Sequence, residues 1–126
     1  MRMRRAVLWT VLSSTIGLFT FAGCGSDSTP TTPSTPVTPA DVTVSIVADR
    51  GNQSYAPNPV QMRVGQTIAW KNADPIAHTA TGDAGQFNTG LLNNGATSNP
   101  IAMNTAGTFT YHCTVHPGMV GTVVVQ

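Results

Sequence analysis

Among its 126 residues the sequence has no glutamate, one lysine and two cysteines, and charged side chains make up 9% of it. Each shortage excludes something. Three histidines and five aspartates are the only imidazoles and side-chain carboxylates, and beyond one cluster they are scattered, so a substrate-converting enzyme is not expected. Past Arg5 the only cations are Arg50, Arg63 and Lys71, widely spaced, which gives no basic footprint for nucleic acid. No window beyond residue 40 carries the 3.6-residue apolar period of an amphipathic helix. The two cysteines, Cys24 and Cys113, lie in segments of very different composition, which argues against a simple disulfide.

What is present divides the chain into three parts. Residues 1–23 open with Arg2, Arg4 and Arg5, continue through an apolar stretch from Ala6 to Phe21 and end on small residues, the pattern of an export signal. Cys24 follows Ala22 and Gly23, as at a bacterial lipoprotein processing site, although Phe21 stands where such sites usually carry Leu. Cleavage before Cys24 would leave its thiol to carry a lipid; an uncleaved membrane anchor is the plainer alternative, since the apolar stretch approaches spanning length. Residues 24–40 are that cysteine and a Ser/Thr/Pro-rich run with almost nothing to bury, expected to form an extended tether. Its sixteen residues after Cys24 reach about 50 Å at about 3.1 Å per residue. Residues 41–126 are the foldable unit, large enough for one modest core. With the leader removed, three cations face five aspartates, a net charge of −2 with histidine neutral.

Period-2 patterning dominates residues 41–126. Val42, Val44 and Ile46 alternate with Thr43 and Ser45; Val60, Met62 and Val64 repeat the pattern before Gly65; Ile68 and Trp70 follow. Phe109, Tyr111 and Cys113 share one face of a strand, with Thr108, Thr110 and His112 on the other, and Gly121 to Val125 closes the chain as an apolar strand. Residues 82–98, rich in Gly and Asn, read as loop. The spacing is that of an all-β sandwich.

The chemistry concentrates in one short stretch. Cys113, His116 and Met119 stand three residues apart, with Pro117 and Gly118 supplying a turn between the last two. His78 lies 35 positions before Cys113 and must reach the same place from another loop. A thiolate, two imidazoles and a weak thioether form the donor set of a mononuclear blue copper site: sulfur suits Cu(I), and imidazole also suits Cu(II). His112 is not counted as a ligand, because strand alternation turns it away from Cys113. A lone exported thiol also finds its explanation in a metal.

Tyr111-His-Cys-Thr-Val-His-Pro-Gly-Met-Val-Gly-Thr-Val-Val-Val125 resembles the ligand loop and last strand of the cupredoxins, nearest the amicyanins in the plastocyanin group. Tyr55-Ala-Pro-Asn-Pro59, Val64 to Asn72, His78 to Thr81, Phe87 to Leu92 and Ala106 to Tyr111 continue the likeness, in order, over essentially all of residues 41–126. The resemblance implies a Greek-key β-sandwich of the cupredoxin type with the metal site in loops at one end. It also implies one copper held by His78, Cys113, His116 and Met119, and single-electron transfer outside the cytoplasm. The chain departs from the amicyanin pattern at Thr79, where relatives often carry Asn, and at Val115 and Gly118, where amicyanins have Pro and Phe. Thr79 is expected to face Thr114; these changes bear on the potential and the partner, not on the metal.

Two functions follow as expectations. The first is a monomeric electron carrier, lipid-anchored through Cys24 on the periplasmic or extracellular face of a bacterial membrane. It would dock protein redox partners near His116, placed nearer the surface than His78. The second is a copper storage or delivery protein of the cell envelope, for which Met62 and Met103, isolated in strand-like runs, offer little support.

Overall fold

The computed structural model describes residues 38–126. The expected leader (residues 1–23), the lipidation site Cys24 and most of the tether lie outside the described residues, and Thr38 to Ala40 run without regular structure into the first strand. Eight strands follow among the described residues: β1 (Val42–Ile46), β2 (Tyr55–Ala56), β3 (Val60–Met62), β4 (Thr67–Asn72), β5 (Thr81–Gly82), β6 (Ile101–Ala102), β7 (Gly107–His112) and β8 (Val120–Val125). One 3₁₀ turn, Gly51–Gln53, is the only helical element among them.

The strands form two four-stranded sheets, ordered β2-β1-β4-β6 and β3-β8-β7-β5. β1 pairs parallel with β4, and β3 parallel with β8, so each sheet joins strands distant in sequence, as a Greek-key sandwich does. Alternation decides which face is buried. Val44 and Ile46 of β1, Val60 and Met62 of β3, Tyr111 of β7, and Val123 and Val125 of β8 all point into one core. Val64, expected to continue the β3 pattern, is instead about half exposed, because the chain has left the sheet for the Gly65 turn.

Aromatic rings fill the centre. Trp70 stacks on Phe87 at 5.0 Å between centroids and meets Tyr111 edge-on at 5.5 Å; Tyr55 meets Tyr111 at 4.7 Å. Residues 82–98 do form mainly loop, but Phe87 and Leu92 anchor it in the core, and its first residue, Gly82, ends β5. Tyr111 pairs with Gly121 across β7 and β8, and a Cβ at Gly121 would lie 2.2 Å from the tyrosine ring. Glycine there is the space that the ring occupies.

Strand direction sets two poles. β1 and β4 run side by side from Val42 and Ile68 to Ile46 and Asn72, and β7 runs from Gly107 to His112. The C-terminal ends of β4 and β7 carry the loops of the candidate site, and that of β1 lies at the same pole. Their N-terminal ends meet Gln126 and the Gly65 turn, where Val64 N–H donates to the Gln126 carbonyl at 3.1 Å and Gly65 N–H to the Met103 carbonyl at 2.9 Å. Asp41 sits at this second pole, its carboxylate accepting both the N–H and the hydroxyl of Thr67 at 2.7 Å.

Candidate metal centre

The first loop of the site is built by asparagine chemistry. Asn72, fully buried at the end of β4, accepts the Asp74 N–H at 2.9 Å and donates its amide to the carbonyls of Ile76 at 2.7 Å and Leu92 at 2.9 Å. One side chain thus folds the Asn72–Ile76 turn and ties it to the neighbouring segment. His78 and Leu92 then exchange backbone hydrogen bonds at 3.1 and 2.8 Å. Asn94 donates to the Asp74 carbonyl at 2.8 Å, fixing the turn from the other side. The result holds His78 fully buried, with Nε2 3.0 Å from an Asp74 carboxylate oxygen. The hydrogen bond from His78 holds the Asp74 carboxyl below the usual carboxylate range. A carboxylate only accepts, so Nε2 carries the proton and Nδ1 presents a lone pair.

The second loop, Cys113 to Met119, curls back on itself. Met119 N–H donates to the His116 carbonyl at 2.9 Å, and Cys113 N–H to the Met119 carbonyl at 3.0 Å. Cys113 and Met119 are fully buried; His116 is partly exposed, shallower than His78 as expected. Three donor atoms converge: His78 Nδ1 lies 3.1 Å from His116 Nδ1 and 3.8 Å from Cys113 Sγ, which is 3.9 Å from His116 Nδ1. These three residues could hold a metal ion. Metal bonds of about 2.0–2.1 Å to nitrogen and about 2.3 Å to sulfur fit such separations.

Cys113 is prepared for that role. Burial pushes its thiol up, but the Thr79 N–H at 3.3 Å, then the His78 ring and the His116 backbone and ring, pull it down further, to about 6. Thr79 also accepts the Thr114 N–H at 2.9 Å, and the two threonine hydroxyls lie 3.1 Å apart, the expected pairing. The Tyr55 hydroxyl donates to the Thr79 carbonyl at 2.6 Å. Burial raises the Tyr55 phenol well above its ordinary range, so it remains a donor.

His112 points away from the site, its Nδ1 2.6 Å from Asp83 on the outer face. Asp74, Asn72 and Tyr55 went unassigned from sequence alone. The signal for the first two was present as Asn72-x-Asp74-x-x-x-His78, an Asx turn closing on a histidine.

A family model for copper-binding proteins of the plastocyanin/azurin family matches residues 42–126. The chain belongs to that family. This cupredoxin is 33% identical over 98 residues to a plastocyanin of Scenedesmus fuscus, covering 68% of the chain and all of the relative. It is 32% identical over 91 residues to an amicyanin of Paracoccus denitrificans, covering 65% of the chain and 66% of the amicyanin. Among solved structures, a purple cupredoxin from Nitrosopumilus maritimus superposes with a TM-score of 0.60 at 27% identity, over 68% of this chain and 100% of that one. An amicyanin variant solved with Cu(I) gives 0.59 at 27% identity, over 68% and 81%. The cupredoxin's metal is copper, and the nitrogen and sulfur donors gathered here are of the kinds copper takes.

Proposed function

We propose that this cupredoxin is a mononuclear blue copper electron carrier. His78 Nδ1, Cys113 Sγ and His116 Nδ1 would hold one copper, with the thioether of buried Met119 on the same loop as a weaker fourth donor. The convergence of a buried, readily ionised thiol with two imidazole nitrogens carries this reading. Copper supplies a Cu(I)/Cu(II) couple; the chain's part is to keep the donors still while the charge changes. His78 is locked by Asp74 and the Leu92 bridge, and Cys113 by Thr79 and Met119. Little needs to move, which keeps the reorganisation barrier low.

His116 is the exposed end of the site and the point where electrons enter and leave. Ile76, Leu91 and Val115, in the loops that carry and flank the two histidines, are each at least half exposed, at 56%, 60% and 50%. That uncharged, apolar rim suits a protein redox partner with a similarly apolar face. The cupredoxin works as a monomer outside the cytoplasm, tethered to a bacterial membrane by lipidated Cys24. Met62 and Met103 are buried core residues, which leaves copper delivery without surface methionine ligands among the described residues.

The test is optical. The copper-loaded protein should show an intense thiolate-to-Cu(II) band in the visible and a reversible potential. Cys113→Ser should abolish that band, and a blue band surviving in the variant would refute the assignment.

A further inference from the structure

We infer that Asp74 is a positioning residue for electron transfer: it fixes the tautomer and orientation of His78, and its charge lowers the reduction potential. This rests on the reading that His78 binds copper. The carboxylate lies 3.0 Å from His78 Nε2, on the side of the ring opposite the donor atom Nδ1. A hydrogen bond from the non-ligating nitrogen to a carboxylate makes the ligating nitrogen more basic. A more basic donor and a nearby negative charge both favour Cu(II) over Cu(I).

The geometry makes this a built arrangement. Asp74 is held at three points besides His78: its N–H by Asn72, its carbonyl by Asn94, and Oδ1 by the Ile76 N–H at a longer 3.5 Å. Its side chain is 11% exposed and that of His78 is fully buried, so water screens the pair little. The described residues contain two ion pairs, His78–Asp74 and His112–Asp83, and no Lys or Arg pairs with Asp74. No Lys or Arg side chain among the described residues therefore offsets its charge at ion-pair distance.

The experiment uses the copper-loaded full chain and its Asp74→Asn and Asp74→Glu variants. Asn keeps the shape and one acceptor oxygen but removes the charge. Asp74→Asn should retain the blue band while its affinity for Cu(II) relative to Cu(I) falls about tenfold, a positive shift of about 59 mV for one electron. Asp74→Glu should bring the potential back towards that of the parent. A lowered unfolding midpoint with an unchanged potential would mean that Asp74 serves folding alone, and would overturn the inference. Should Asp74→Asn not fold, nitrogen-15 NMR of the reduced parent decides: a slowly exchanging Nε2–H on His78 is expected, and a proton on Nδ1 instead would overturn it. Absence of a blue band in the parent would refute the copper reading itself, which keeps the two failures apart.

Discussion

Cys113 combines full burial with a thiol that ionises at about 6. In the unfolded chain the same thiol ionises near its ordinary value of 9.0. Between these values the folded, metal-free protein holds a thiolate where the unfolded chain holds a thiol. Stability should therefore rise with pH from about 6 to about 9, be fully present above that window, and be lost as pH falls through about 6. Urea midpoints of reduced, metal-free protein across that range check the slope, and Cys113→Ser should flatten it. His78, Cys113 and His116, which the fold brings together, could be picked out with Met119 from sequence because the four stand in a joint pattern, whereas each alone reads more simply as a core or surface residue. Asp74 is harder to read: a carboxylate four residues before a histidine looks like any surface charge unless Asn72, two residues earlier, is taken as the start of the turn that aims it.

Strands β7 and β8 show how far pattern carries an element and where it stops. Alternation placed Phe109, Tyr111 and Cys113 on one face and His112 on the other, and both sheets follow such alternation. The two-residue strands β2, β5 and β6 are too short to show a period; backbone pairing defines them, and only the folded neighbours reveal it. Gly121 is a similar case, since nothing in an apolar run of valines says that one position must be empty. Tyr111 fills that position. Gly121→Ala should therefore force the ring out of its packing against Tyr55 and Trp70, costing about 1–3 kcal/mol as overpacking does. Chemical denaturation measures the loss. Because Tyr111 lies two residues before Cys113, a broadened visible band in the copper-loaded variant is expected alongside it.

At the scale of the whole described unit, the two poles matter most. Both sheets send their site-bearing loops to one end, while Thr38 to Asp41 enter at the other, beside Thr67. β4 alone, six residues at about 3.3 Å each, separates the poles by roughly 20 Å. The described chain therefore enters at the pole away from His116 and from the exposed Ile76, Leu91 and Val115. If the chain is lipidated at Cys24, as proposed, and is held through that pole, anchoring should not slow its chemistry. Lipidated protein in vesicles should give up its electron to a small hydrophilic oxidant as fast as residues 25–126, made without the leader, do in solution, followed by the growth of the blue band. A much slower rate for the vesicle-bound form would mean that the rim around His116 lies against the bilayer, and that attachment at Asp41's pole does not set the orientation.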